Sequence, residues 1–448
     1  MHAIETAFYG ISLFLSFLAQ KASASQGSQT VHIPLKKNSF LTTPDGLFNH
    51  SVFRFQHGRT LRKIESGLVA LAAMESSDRK LNLIDGDLAD VKNFGRLKRH
   101  SKTNRLFERS HEQRRRVESF LKRQGEHLTD QGDRMWTGII EIGNPGQIFS
   151  IDFDTGSADL WVASSQCLSS ACASKNRYDA SASKSSALKD KTFSIKYGDG
   201  SSTSGPVYAD KVELAGINVN RQFFASATVL SSSLGKAPTD GILGLAYPTI
   251  SHLHAPSIVI NAFKQRLLPK NLFAFNLGSM GGELYLGGVD SSKFSGSIET
   301  HPVTRKAYWQ LGSAKVYMNE QRVGDQSIFE TIIDSGTTIM YGPTSAVQDL
   351  YARINGSLYD EDQGLWKYPC EITPKISFSW DDGKHWEVNP ERFSLGTTTE
   401  DPDSCIGAVS SQSLGLHKDT WLLGDSFMTC VYSVFDFGEN TVGFATLN

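Results

Sequence analysis

The residues best suited to chemistry are two aspartates in matching surroundings. Phe153-Asp154-Thr155-Gly156-Ser157 returns as Ile333-Asp334-Ser335-Gly336-Thr337, each an apolar residue followed by Asp, a hydroxyl residue, Gly and a second hydroxyl residue. A second pair, Ile242-Leu243-Gly244 and Leu422-Leu423-Gly424, follows the Asp at the same interval in both halves. The chain past residue 130 therefore reads as two related lobes. If a pseudo-twofold axis brings the motifs together, the two carboxyls cannot both ionise and share one proton. One carboxylate then takes a proton from water while the other, protonated, polarises a peptide carbonyl and stabilises the tetrahedral intermediate. That is amide hydrolysis in acid, with Asp154 and Asp334 as the catalytic residues and no cofactor, metal or covalent intermediate. Capping a turn is the ordinary job of Asp beside Gly, but two copies at equal offset are hard to ascribe to it.

The elements that must position these carboxyls are strands and tight turns. Phe149, Ile151 and Phe153 alternate with Ser150, Asp152 and Asp154, which predicts a strand with its apolar set on one face and Asp154 on the other. Gly156 permits the turn that follows, and Ser157 and Thr337 are placed to donate a hydroxyl to their own carboxylate. Beyond residue 130, short runs rich in Val, Ile, Phe and Thr alternate with Gly, Asn, Asp and Ser, the punctuation of an all-β protein. Residues 257–267 and 345–354 are the better helix candidates.

Charge divides the chain. Residues 25–125 hold 20 Lys and Arg against 10 Asp and Glu, whereas residues 126–448 hold 24 against 36. The basic tracts thus have an acidic partner within the same chain, and nucleic acid is not an expected one. An apolar run from Ala7 to Ala19, followed by Ala22-Ser23-Ala24, fits a secretory signal peptide over 1–24 and is short for a membrane span. No membrane anchor is expected. Five cysteines suit an oxidising compartment. Cys167 and Cys172 are spaced to close a small loop, Cys370 and Cys405 a longer one, which leaves Cys430 as an inert buried thiol. Neither C-x-x-C nor H-E-x-x-H occurs, so the spacings do not read as metal sites. Asn49-His-Ser and Asn355-Gly-Ser are glycosylation sequons, and Asn355 is carried as the candidate site.

At these residues the sequence resembles the pepsin family of eukaryotic aspartic proteases, especially its secreted fungal members. The likeness runs from about Leu128 to Asn448 and rests on Phe153-Asp-Thr-Gly-Ser-Ala-Asp-Leu-Trp-Val, Ile333-Asp-Ser-Gly-Thr-Thr, Asp240-Gly-Ile-Leu-Gly-Leu-Ala, Trp421-Leu-Leu-Gly-Asp and Tyr308-Trp309-Gln310. It implies a bilobal, pseudo-twofold all-β fold with a few short helices, an N-terminal lobe over 126–300 and a C-terminal lobe over 301–448. It also implies that extended protein or peptide substrates bind in the cleft by strand-like hydrogen bonds. Thr155, Gly156, Ser157, Ser335, Gly336 and Thr337 would then support the dyad. A flap tip at Tyr197, Gly198 and Asp199 would close over the cleft, with Tyr197 reaching toward Trp161 and Asp199 favouring Lys beside the scissile bond.

The basic segment 25–125 resembles the family's propeptide, from Val31-His-Ile-Pro-Leu-Lys-Lys onward. It would be held on the acidic enzyme near neutrality and loosened in acid, with processing near Lys122-Arg123 and a mature start between residues 117 and 128. The sequence does not single out a lysine that reaches the dyad. Trp136, Thr239 and the short 230–240 segment depart from common members and bear on the S1 and S3 subsites. Asp425 resembles a position tied to the acid optimum. The expected product is a monomeric acid endopeptidase, secreted to the extracellular space or, as second choice, vacuolar, that engages substrates and its own propeptide. The main rival is a non-catalytic binding protein on the same fold. Such proteins lose an Asp, a motif Gly or the flap Tyr, whereas Asp154, Gly156, Tyr197, Asp334 and Gly336 are all present.

Overall fold

The computed structural model describes residues 29–38, 41–43, 45–77, 135–196, 202–278, 281–325, 327–361, 363–411, 416–417 and 419–448. The proposed signal segment, the dibasic site and the flap tip 197–201 lie outside them.

Strands dominate past residue 135, and the repeat seen in the sequence is a structural repeat. The Gln147–Asp154 strand pairs in parallel with Gly241–Gly244, placing Asp154 beside Gly244, and Leu160–Ala163 runs antiparallel along the other edge of Gly241–Gly244. In the second half Phe329–Ile333 pairs in parallel with Thr420–Leu423, and Met340–Gly342 runs antiparallel to that same strand. Each apolar-apolar-Gly segment is therefore the strand wedged between the two arms of a motif. Glycine is required there: a Cβ on Gly244 would collide with the backbone of Ala158 and Asp159, and one on Gly424 with the carbonyls of Thr337 and Ile339.

Phe149, Ile151 and Phe153 fill one core face, as their alternation predicts. The opposite face is also covered, since Asp152 and Asp154 are fully buried. The six-residue-scale alternation of a half-solvated strand is thus a poor guide here, because a further layer lies over the polar face. Trp309 joins the halves: its ring packs on Phe273, Phe435 and Phe437, and its Nε1–H donates to the Leu245 carbonyl at 3.0 Å. The two expected helices are Ile258–Lys264 and Thr344–Ala352.

The covering layer comes from the N-terminal segment. Val31–Asn38 is a strand set against two others, with Val31 opposite Leu286, Leu35 opposite Gly282 and Lys36 opposite Thr137. Val31, Ile33 and Leu35 point into the core. A helix, His50–Ser77, follows. Asn49 caps it, its side-chain oxygen accepting from the Val52 amide at 3.2 Å. The sequence reading contains no such helix, and the reason is physical. Its buried residues include Phe53, Ile64 and Leu71 but also Arg59, Arg62, Lys63 and Ser66, so no clean apolar stripe marks it. Among the described residues no helix is long and apolar enough to cross a membrane.

Candidate active site

The two motifs meet, and they are bound to each other in a symmetric network. The Thr155 amide donates to Ser335 Oγ at 3.1 Å and the Ser335 amide to Thr155 Oγ1 at 2.9 Å. The Thr155 hydroxyl donates onward to the Ile333 carbonyl at 3.0 Å, and the Ser335 hydroxyl to the Phe153 carbonyl at 2.8 Å. These side chains are buried, so the four bonds form away from competing water. They fix the relative position of the two turns.

Each carboxylate is gripped alike. Asp154 accepts from the Gly156 amide at 2.9 Å and from Ser157 Oγ at 2.7 Å, and Asp334 from the Gly336 amide at 3.0 Å and Thr337 Oγ1 at 2.6 Å. The hydroxyl donations expected of Ser157 and Thr337 are present. The motif glycines allow the close approach, since a Cβ on Gly156 would lie 2.5 Å from the Asp334 carboxyl and one on Gly336 would strike Asp154.

One nitrogen bridges the pair. Lys63 Nζ, from the His50–Ser77 helix, lies 3.0 Å from Asp154 and 2.6 Å from the Asp334 carboxylate. Each carboxyl is thus one hydrogen-bond length from a common point. One turn earlier on the helix, Arg59 forms a buried ion pair with Asp152, while Thr60 Oγ1 lies 3.4 Å from Thr337 Oγ1. One turn later, Gly67 passes so close to Tyr308 Oη that a Cβ would collide with it, and that hydroxyl donates to the Ile64 carbonyl at 3.1 Å. A cavity of about 50 Å³ lies between the helix and the first motif, lined by Asp154, Ser157 and Trp161 among the described residues.

Electrostatics pushes the two carboxyls apart. Burial would raise Asp154, but Lys63, Arg59 and the Ser157 hydroxyl outweigh it and bring the group down to about 2. At Asp334 burial, helped by the charge on Asp154, prevails over Lys63, and the carboxyl is raised. Asp152 is likewise raised, burial outweighing Arg59. Burial opposes the Lys63 charge, yet Asp154 and Asp334 hold its ammonium above the ordinary lysine range. In this form the difference is tied to the cations of the helix, since Lys63 and Arg59 are chiefly what hold Asp154 down.

Other expected residues fall as follows. Trp161 is buried and lines the same cavity as Asp154 and Ser157. Tyr197, Gly198 and Asp199 lie outside the described residues. Cys167–Cys172 and Cys370–Cys405 are both disulfides. Cys430 stands outside them and is half-buried rather than buried, its sulfur accepting from the Asn389 amide at 3.3 Å. Asn355 is exposed, on the loop after the Thr344–Ala352 helix. Asn49 uses its side-chain oxygen as a helix cap. Trp136 is buried opposite Lys37, away from the dyad cavity. Asp425 is buried beneath the second motif, its amide donating to the Thr337 carbonyl at 2.7 Å. Lys63 is the residue that sequence reasoning missed. It is one of many lysines in a basic segment, and only the helix singles it out.

The comparisons agree with this geometry. The family model described as eukaryotic aspartyl protease matches residues 135–447. An aspartic protease of Phaffia rhodozyma is 41% identical over 325 residues, covering 71% of this chain and 78% of that protein. Pepsin A of Sus scrofa is 35% identical over 328 residues, 71% of this chain and 83% of its own. Cathepsin D of Rattus norvegicus is 36% identical over 343 residues, 71% and 82% respectively. With the family's model spanning both motif-bearing halves and two carboxyls meeting between them, the chain belongs to the eukaryotic aspartyl proteases and is an aspartic-type endopeptidase.

Proposed function

We propose that the chain is the zymogen of a secreted acid endopeptidase, with Asp154 and Asp334 as its catalytic pair and residues 25–125 as an inhibitory propeptide. The observation that carries this reading is the seat of Lys63 Nζ, bonded to both carboxyls at once. An attacking water held by the pair would occupy that place. In the precursor the ammonium fills it, and the helix bars extended peptides from the cleft.

Once the helix leaves, the carboxyls lose their cation and share a proton. The ionised member takes a proton from the bound water, and the protonated member donates to the scissile carbonyl oxygen as the tetrahedral intermediate forms. The proton gained from water then passes to the leaving amine. The apparent constants belong to the pair and not to either residue. Gly156 and Gly336 amides with the Ser157 and Thr337 hydroxyls keep both groups aimed. Tyr197 and Asp199 act from the flap, and Trp161 supports it.

The sign of the acid response follows from Asp154. Its carboxyl is depressed in the docked form to about 2, so its attraction for Lys63 is present above the ordinary carboxyl range and is lost as pH falls toward that value. The charge imbalance between 25–125 and 126–448 adds a weaker hold of the same sign. Secretion rests on the apolar run over residues 7–19 and on the two disulfides. Asn355, exposed, is the glycosylation site.

The test is to acidify the purified full chain, follow its self-conversion, and map cuts in a denatured protein mixture with and without a statine-type transition-state analogue. Asp154→Asn and Asp334→Asn each abolish cleavage while circular dichroism stays that of the parent. Appreciable activity in either folded variant would point to different chemistry.

A further inference from the structure

We infer that His252 is a specificity-determining residue of the cleft, donating from Nε2–H to an acceptor oxygen on a substrate side chain, a Glu or Asp carboxyl first. This rests on the reading of the cleft as the peptide-binding site and names a preference within it.

The imidazole is mounted on a buried carboxylate. Asp159 accepts from Ser251 Oγ at 2.5 Å, from the His252 amide at 2.9 Å and from the Leu253 amide at 3.1 Å. Its Oδ2 also lies 3.5 Å from His252 Nδ1. Phe193 meets the ring edge-on, with centroids 6.3 Å apart. A histidine whose Nδ1 faces a carboxylate keeps its proton there and presents the other nitrogen outward. That nitrogen faces the cleft: His252 lines the same cavity as Asp154, Ser157 and Trp161. In the precursor Nε2 lies 3.4 Å from Ser66 Oγ, a side chain on the helix that also carries Lys63. The propeptide thus sets a small oxygen-bearing side chain against the imidazole, and a substrate side chain takes that place after the helix departs.

Hydrogen-bonding role selects among occupants. The other charged groups lining the cavity are Arg59, Arg62 and Lys63 from the helix and Asp154 and Asp159 from the enzyme. The three cations leave with the helix. The Nε2–H facing the cleft is a donor, so a Lys or Arg head, which carries only donors, finds no acceptor there, whereas a carboxyl or amide oxygen on an arriving side chain finds a partner. Cleavage beside such a residue is favoured roughly tenfold over an apolar one of similar size.

The test uses mature enzyme generated by acid conversion of the full chain, profiled on a library of peptides at a single acid pH. Wild type, His252→Leu and His252→Gln are compared by the ratio of kcat/KM for Glu against Leu at each position flanking the cut. The expected result is enrichment of Glu and Asp at one position in wild type, a roughly tenfold fall of that ratio in His252→Leu, and partial recovery in His252→Gln, which restores an N–H donor. Statine-type inhibitors bearing Glu or Leu at that position repeat the comparison as binding constants. An unchanged ratio at every position overturns the inference. So does an equal loss for all peptides, which would make the imidazole a support for its own turn. Wild-type enzyme with no analogue-sensitive cleavage would sink the underlying reading of the cleft as well.

Discussion

Replacing Lys63 by Met removes the one ammonium that neutralises two fully buried carboxylates while keeping the length of the side chain. The ion pairs span 3.0 and 2.6 Å, and the lysine side chain is 7% exposed. Breaking a buried pair by removing one partner costs about 3–5 kcal/mol, because the other charge stays buried without compensation. Here two carboxylates are stranded together, and they respond by taking up a proton, which limits the loss to the lower end of that range. About 3 kcal/mol weakens docking of the helix roughly a hundredfold. With one proton linked to release, that energy moves the release midpoint by about 2 pH units. The direction is upward: the variant exposes its cleft at a less acidic pH than the parent. The assay is uptake of a fluorescent statine-type analogue by the full-length chain across pH, read before any cleavage. Lys63→Arg, which keeps the charge, shifts the midpoint less. A midpoint in Lys63→Met equal to the parent's, with an unaltered near-ultraviolet spectrum, would refute the view that this ion pair holds the helix in place.

Gly156→Ala and Gly336→Ala each force a methyl group onto the opposite carboxyl. Overpacking of this kind costs about 1–3 kcal/mol, so both variants should melt several degrees lower and show kcat reduced far more than KM raised. Ser335→Ala deletes the acceptor of the Thr155 amide and a donor to the Phe153 carbonyl. The buried groups left unmatched lower stability by about 1–3 kcal/mol, measurable by urea titration, and Thr155→Val should do the same from the other lobe. Removing the Cys370–Cys405 bridge, which spans 35 residues, should cost about twice as much stability as removing Cys167–Cys172, which spans 5. Loop-closure entropy puts the two at about 4 and about 2 kcal/mol, and paired Cys→Ser variants compared by denaturant midpoint give the ratio. On the proposed glycosylation of Asn355, Asn355→Gln should lower the apparent mass of the expressed protein by one glycan and leave its melting temperature unchanged.

Short-range pattern and duplication made the strands, the paired motifs and the grip of each hydroxyl on its own carboxylate legible in the sequence. A strand alternates its side chains, an Asp-x-Gly turn constrains its own neighbours, and a repeated motif implies a repeated setting, so none of these needs distant contacts to be inferred. What the tertiary structure alone decided is everything that depends on which surface covers which. The polar face of the 147–154 strand is buried because an N-terminal helix lies on it. That helix escaped notice because its buried face is cationic, and Lys63 is distinguished from its fellow lysines only by ending between two carboxyls. The unequal proton affinities of Asp154 and Asp334, set in near-identical motifs, have the same origin. Coulomb energies depend on distances across the fold and on exclusion of water, and neither is written in the order of residues along the chain.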